Sequence, residues 1–200
     1  MKNTFVSEVL ATRLSHDLIG NVGAIANAVE LLNEGDDEDK DYISNILNFS
    51  SRVLTRRLKF FRLCFGLSNA TIKSMDELES ITRDYLSTLG NPNTPISLSL
   101  KIENYNIHKL IMPAVMMMAD SIIKGGEIAV IQTENSLIIE ANSSFNLDER
   151  KLSNIKNILA GEDISDNNPS SYAPLYYLLA YLEKSEVNVA LKDNKLVIGD

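Results

Sequence analysis

The segment RLSHDLIGNVGAI, residues 13 to 25, combines residue types that could do chemistry with a helical spacing of apolar residues. His16 stands next to Asp17, and Gly20 and Gly23 follow a few residues later. A neutral imidazole is a competent nucleophile near neutral pH, because its ordinary pKa is about 6.5. The role of His16 therefore depends on whether its side chain is packed in a core or exposed to other molecules.

The helical geometry of this segment predicts that His16 faces solvent. An ideal helix turns by about 100° per residue, and the apolar stripe centred on Leu18 comprises Leu14, Val22, Ile25, Val29 and Leu32. His16 lies about 160° from Leu18, on a face shared with Arg13, Gly20, Gly23 and Asn27. Each glycine within a helix costs about 1 kcal/mol relative to alanine, so two on this face favour close approach by another molecule. A surface histidine in a helix that merely tolerates poor helix formers is the alternative.

The neighbours of His16 exclude several kinds of site. Ser15 points about 100° away from His16, which makes a Ser-His dyad geometrically poor. Asp17 diverges similarly, and the other histidine, His108, lies in the other half of the chain, so we expect no metal site and no cofactor-binding site. An isolated surface histidine can still accept a phosphoryl group and pass it on.

The composition limits the possible partners and locations. Nineteen Lys and Arg against 27 Asp and Glu give a net charge of -8, which argues against nucleic-acid binding. The single cysteine, Cys64, excludes an internal disulfide framework. No apolar run is long enough to span a bilayer, so we expect a cytoplasmic protein that does not act at a membrane.

Two long amphipathic helices are predicted in the first part of the chain, over residues 4 to 33 and 41 to 67, on either side of the acidic turn NEGDDEDK. They form an antiparallel hairpin, which cannot bury its apolar stripes alone and needs a third layer or a second copy. On the second helix, Ile43, Leu47, Leu58, Phe61 and Phe65 lie within about 40° of Leu54. Two such hairpins would make a four-helix bundle, so we expect a homodimer.

The rest of the chain predicts a layer of strands and helices. A capping-box pattern, Ser74 to Glu77, begins a connecting helix that ends at Gly90. Strands are predicted at ISLSLKI, EIAVIQT, SLIIEAN, VNVALKD and KLVIG, with helices at HKLIMPAVMMMADSIIK, DERKLSNIKNIL and APLYYLLAYLEKS. The predicted fold is α+β, with a helical-hairpin domain over residues 1–70 and an α/β sandwich over residues 71–200.

The stretch RLSHDLIGNVGAIANAVELL, together with RLKFFRLCFG in the second helix and the order hairpin then α/β domain, resembles the ChpT family of histidine phosphotransferases. The resemblance covers nearly the whole chain. It implies a dimeric four-helix bundle and a second domain like a histidine-kinase ATP-binding domain that has lost its nucleotide site. It also implies that His16 is the phosphoacceptor and that Asp17 supports it.

Three departures from a working kinase domain make ATP binding improbable. The helix AVMMMADSIIK has methionine and alanine where such domains have asparagines, and SLIIEANSSFNL has no glycine where an Asp-x-Gly motif would follow. The sequence YAPL stands where GLGL would begin the last helix. A true ATP-dependent histidine kinase is thus the weaker alternative, and a non-enzymatic dimeric adaptor that binds response regulators is another.

The resemblance further implies the partners of a phosphorelay. His16 would take a phosphoryl group from the receiver aspartate of a CckA-like hybrid histidine kinase and give it to CtrA-like or CpdR-like response regulators, with Mg²⁺ supplied by the receiver domain. A basic stretch in the second helix suits such partners, since Arg56 and Lys59 are predicted to face water level with His16 if the hairpin turns near Asp37. We expect Arg13, Gly20, Gly23, Asn27, Arg56 and Lys59 to form the partner-binding surface. An ordinary solvated helix face is the alternative for the two cations.

Overall fold

The first part of the chain is an antiparallel pair of long helices, as predicted. The computed structural model describes residues 3–34, 39–67, 71–91, 93–165 and 167–199. Helix α1 covers Asn3–Glu34 and α2 covers Lys40–Phe65. The predicted turn near Asp37 lies outside the described residues, and so does the segment 68–70 beside the predicted domain boundary. The division into two domains stays a prediction.

A third helix, α3 (Met75–Leu86), connects the hairpin to the sheet. Its start follows the predicted capping pattern, because the Ser74 hydroxyl accepts a hydrogen bond from the Glu77 backbone N–H at 3.2 Å. The Glu77 carboxylate in turn accepts one from the Lys73 backbone N–H at 2.8 Å.

The second part of the chain is one five-stranded sheet with helices packed on it. The strands are β1 (Ile96–Lys101), β2 (Gly126–Gln132), β3 (Ser136–Asn142), β4 (Val189–Lys192) and β5 (Lys195–Gly199), in the spatial order β1-β2-β3-β5-β4. The helices are α4 (His108–Ala119), α5 (Glu149–Ala160) and α6 (Ala173–Leu182). Strands β1 and β2 are parallel and the other neighbouring pairs are antiparallel. The predicted α+β class, with its five strands and three helices, is confirmed.

Helix α4 ends earlier than predicted, at Ala119 rather than near residue 124. The chain turns at Asp120, and Ile122 then pairs with Leu147 in an isolated bridge. Because α4 ends here, the Asp120 carboxylate can contact Arg13 of α1.

The hydrophobic core extends from the end of α2 into the sheet. Phe60 is fully buried and stacks on Tyr85 of α3 with ring centroids 3.9 Å apart. Farther along, Phe5 near the start of α1 packs edge-on against Tyr176 of α6 at 5.1 Å. These contacts fix the hairpin against the second part of the chain, so side chains from both can meet around one site.

The apolar stripe of α1 is only partly covered within one chain. Leu14, Leu18 and Ile25 are half-buried, whereas Val22 and Val29 are 48% and 44% exposed. This agrees with the expectation that one hairpin cannot bury its apolar stripes alone, and the second copy stays a prediction. Among the described residues, no helix is long and apolar enough to cross a membrane.

Candidate functional site

His16 is exposed, as its position on the helix predicts. Its side chain is 85% accessible, and its Nδ1 atom lies 3.6 Å from Oδ1 of Asp17. A carboxylate facing Nδ1 favours the tautomer with the proton on that nitrogen. The lone pair of the neutral ring then lies on Nε2.

Asp17 is held in place from both sides. Its Oδ2 atom accepts a hydrogen bond from Nε of Arg13 at 2.8 Å, one helical turn earlier. Its backbone carbonyl accepts a second hydrogen bond from the guanidinium of Arg57 in α2. Because the carboxylate is fixed by Arg13, its free oxygen keeps a defined position beside the imidazole of His16.

Arg13 does not face solvent, so this expectation from the helical wheel is wrong. Its side chain is 12% exposed, and it makes two hydrogen bonds to Asp120, from Nη1 to Oδ2 at 2.7 Å and from Nη2 to Oδ1 at 3.0 Å. Burial alone would lower the pKa of Arg13, but the attraction and hydrogen bonds of Asp120, together with Asp17, raise it instead. Arg13 is thus a permanently charged link between α1 and the end of α4. Most of its N–H donors are engaged within the chain, and its partner-binding role stays a prediction.

Lys151 completes the cluster from α5. Its ammonium lies 3.2 Å from Oδ2 of Asp120 and 5.3 Å from the ring centre of Tyr172. A cleft of about 230 Å³ opens here between α1 and the second part of the chain. Its lining includes Arg13, His16, Asp17, Asp120, Lys151 and Ser171.

Tyr85 lies beneath this cluster. Its hydroxyl is buried without a hydrogen-bond partner among the described residues. Burial raises the pKa of Tyr85, and the negative charge of Asp120 raises it further while Arg13 lowers it. The Tyr85 phenol therefore stays protonated and uncharged beneath the charged cluster.

The sequence did not single out Asp120, Lys151, Tyr85 or Arg57 as site residues. Asp120 carried a usable signal, because an aspartate that ends the apolar run LIMPAVMMMA must find a cationic partner if it is buried. The other three carry no such signal, since their place in the site depends on how α2, α3 and α5 pack against α1.

The basic stretch of α2 reaches the level of His16, but through a different residue from those predicted. Arg57, not Arg56, donates to the Asp17 carbonyl, and it also donates to the carbonyl and hydroxyl of Thr88. Arg56 instead pairs with Asp84 of α3 at 3.2 Å. Lys59 lines a separate groove between α2 and α3 with Arg56. The expectation that Arg56 and Lys59 directly flank the His16 cleft is therefore wrong.

Gly20 and Gly23 are not required by packing within the chain. A Cβ atom built on either glycine would meet nothing within 4 Å. Asn27 lies farther along the helix and is exposed. The helix surface that follows His16 is consequently open to a partner.

Among the described residues, no group of three or more His, Cys, Asp or Glu side chains is arranged to hold a metal ion. The acidic residues near His16 are instead engaged by arginine and lysine.

Known proteins are similar to this chain in sequence and in fold. No protein-family model matches the sequence. The protein phosphotransferase ChpT of Brucella abortus (strain 2308) is 29% identical over 124 residues, which are 61% of this chain and 58% of that protein. A solved structure described as a bacterial phosphotransferase matches 99% of this chain and 96% of its own with a TM-score of 0.74 and 19% identity. The chain is therefore similar to ChpT in sequence over part of its length, and to a bacterial phosphotransferase in fold.

The two similarities differ in how much of the chain they cover. The sequence match spans less than two thirds of its curated relative, whereas the fold match spans almost the entire chain. The predicted resemblance to ChpT is thus confirmed as a similarity of sequence. The role of the site around His16 is argued from its own geometry.

Proposed function

We propose that this protein is a histidine phosphotransferase that carries a phosphoryl group on His16. The observation that supports it most is the arrangement of the imidazole: 85% exposed, with one nitrogen facing a fixed carboxylate and the other open to solvent. Such a group can meet a second protein while keeping one defined orientation, which is what in-line transfer needs.

The transfer requires no base in this chain. The Nε2 lone pair of His16 forms the N–P bond while the P–O bond of a receiver aspartyl phosphate breaks, which returns that aspartate to its carboxylate form. The proton stays on Nδ1, and the positive charge that develops on the ring is offset by Asp17 at 3.6 Å. The reverse sequence of bond changes delivers the group to the next aspartate.

The partners proposed are receiver domains on both sides of the transfer. The donor is the receiver of a CckA-like hybrid histidine kinase, and the acceptors are CtrA-like or CpdR-like response regulators, whose own acidic pockets bring Mg²⁺. The open surface around Gly20 and Gly23 supports close docking beside His16. A cytoplasmic location belongs to the same proposal.

The second part of the chain is proposed to be a kinase-like domain without nucleotide binding. Met116, Met117 and Met118 are fully buried in its core. They stand where a kinase would present asparagines to magnesium and phosphate, and buried thioethers offer neither group a ligand. A role for this domain that does not involve ATP is therefore a contribution of side chains to the site around His16.

A homodimer is the third element of the proposal. Several members of the apolar stripes on the two long helices are exposed, namely Val22, Val29, Leu32 and Leu58. An exposed surface of this kind marks an interface in a water-soluble chain. A second hairpin with the same stripe would cover it as a four-helix bundle.

One experiment separates the candidate functions. The purified protein is incubated, without ATP, with a receiver domain that carries a labelled phosphoryl group on its aspartate. The two proteins are then separated, and each is assayed for the acid-labile label. We expect label on wild type and none on His16→Ala, which removes an exposed side chain and leaves the fold intact. Binding without label would favour the adaptor, and label that appears only after ATP is added would favour a kinase.

A further inference from the structure

The charged cluster beside His16 contains more positive than negative charge. Among its described residues, Arg13, Arg57 and Lys151 contribute three cations, while Asp17 and Asp120 contribute two anions. The side chains of Arg13, Asp120 and Lys151 are only 12–13% exposed, so their charges are poorly screened by water. Arg13 and Lys151 line the cleft itself, whereas Arg57 contacts the cluster through the backbone carbonyl of Asp17. An anion that enters the cleft would therefore meet Arg13 or Lys151.

Four of the five N–H donors of Arg13 are already engaged by Asp17, by Asp120 and by the backbone carbonyl of Ser171. Its Nε atom donates to Asp17, and its Nη1 and Nη2 atoms donate to the two oxygens of Asp120. Arg57 is engaged in the same way, by the carbonyl of Asp17 and by Thr88. Both arginines hold other protein groups in place.

Lys151 is differently bonded. Its hydrogen bond to Oδ2 of Asp120 is 3.2 Å long, and that oxygen already accepts the shorter 2.7 Å bond from Arg13. An ammonium group has three N–H donors, so Lys151 can turn toward a new acceptor. Asp120 would remain paired through both of its bonds to Arg13.

We propose that Lys151, in α5, donates a hydrogen bond to the phosphoryl group that His16 receives. This inference rests on the proposed function and adds a catalytic residue from the second part of the chain. During transfer, negative charge spreads over the three equatorial oxygens of the phosphoryl group. Lys151 stabilises that charge, keeps its own proton throughout and breaks no bond. Asp120 and Arg13 are positioning residues that hold Lys151 and Asp17 on either side of the cleft.

The inference gives the kinase-like domain a purpose that does not require ATP. Lys151 follows the start of α5, and the Asp148 side chain caps that helix by accepting from the Lys151 backbone N–H at 2.9 Å. The cap fixes the start of the helix, and the contact of the Lys151 ammonium with the Tyr172 ring places that ammonium beside the cleft. The domain thereby completes a site whose nucleophile lies on α1.

The test uses single-turnover transfer from a phosphorylated receiver domain to the full-length protein, without ATP, over a range of receiver concentrations. Lys151→Met keeps the apolar stem and removes the charge, and Lys151→Arg restores a cation. Lys156→Met is the matched control, because Lys156 lies on the same helix and is exposed. Phosphoramidate serves as a second donor that needs no protein docking, and thermal unfolding verifies that each variant is folded.

We expect Lys151→Met to lower the maximal transfer rate about tenfold, since a charge-assisted hydrogen bond lost in the transition state has an effect of that order. The half-saturating receiver concentration should stay unchanged, labelling by phosphoramidate should slow as well, and Lys151→Arg should recover most of the rate. Lys156→Met should behave as wild type.

Three results would overturn the inference while leaving the proposed function standing. They are an unchanged maximal rate in Lys151→Met, an equal loss in Lys156→Met, and a change confined to the half-saturating concentration, which would make Lys151 a docking residue. If wild type takes up no phosphoryl group, or if His16→Ala is labelled equally, the proposed function fails and the inference fails with it.

Discussion

Arg13 of α1 and Asp120 at the end of α4 form a two-point ion pair, with N–O distances of 2.7 and 3.0 Å, across 107 residues of sequence. The pair joins the helix that carries His16 to the part of the chain that carries Lys151. It is also the reason that Asp17, bonded to the same guanidinium, keeps its place beside the imidazole.

Breaking this pair should destabilise the fold. Asp120→Asn leaves the Arg13 and Lys151 charges buried without their carboxylate, so the free energy of unfolding should fall by about 3 kcal/mol. Urea denaturation followed by circular dichroism measures it. Glu79→Gln is the control, because the Glu79–Arg83 pair is 37% and 51% exposed and its loss should change stability by no more than about 1 kcal/mol. Equal effects in the two variants would contradict a structural role for the Arg13–Asp120 pair.

Substitution of the two glycines near His16 should have opposite effects on the stability of the fold and on the rate of phosphoryl transfer. Gly20→Ala and Gly23→Ala should each raise the free energy of unfolding by about 0.5–1 kcal/mol, since the added methyl meets nothing within 4 Å and alanine is the better helix former. The same variants should slow phosphoryl transfer if a receiver packs against this surface. Stabilised variants that transfer at the wild-type rate would show that the open surface is not used.

The apolar surface of α1 should mediate self-association. Val29 lies on the stripe and is 44% exposed in one chain, so Val29→Glu would bury a charge in the proposed bundle and should yield monomers. Asn27→Glu, on the opposite face of the helix, should remain dimeric. Light scattering at micromolar concentration distinguishes the two masses, and a monomeric wild type would end the dimer proposal.

Lys59 offers a test of electrostatic steering. Charge reversal in Lys59→Glu should slow association with an acidic receiver strongly at 0.01 M salt and much less at 0.15 M, because the screening length falls from about 30 Å to about 8 Å. Arg56 is less informative, since its replacement also breaks the pair with Asp84. Lys101→Glu makes the same change in net charge on an exposed residue of β1. Equal rates for the two reversals would leave Lys59 as ordinary surface charge.

His108 should make the protein less stable in mild acid. Burial, and next the positive charge of Lys109, lower the pKa of His108, and these effects outweigh a hydrogen bond with the Tyr105 backbone that raises it. The unfolded chain binds a proton near pH 6.5 while the folded chain resists it, so stability is full above about pH 6.5 and is lost as the pH falls toward the lower folded value. His108→Leu removes this group.

Urea denaturation at pH 7.5 and pH 5.5 measures the effect of that substitution. The loss of stability between the two pH values should be smaller in His108→Leu than in wild type. An identical pH dependence in both proteins would show that His108 is not the group that responds.

The level at which the two hairpin helices meet could be predicted from the sequence, but the residue that makes the contact could not. A turn near Asp37 places residues around Leu58 opposite His16, and the hydrogen bond from Arg57 to Asp17 confirms that level. A helical wheel gives directions relative to a helix's own axis. It does not say where the neighbouring helices lie, so Arg56 turned out to face α3 while Arg57 faces α1.

By itself, the sequence determined the helices and strands, the α+β class and the exposure of His16, because these depend on local periodicity and capping within short segments. Only the tertiary structure decided that Arg13 is held by Asp120 and that Lys151 shares the cleft with His16. Buried charges must find opposite charges wherever the packing of distant elements brings them. Here, that packing is set by a core to which α2, α3 and the sheet all contribute.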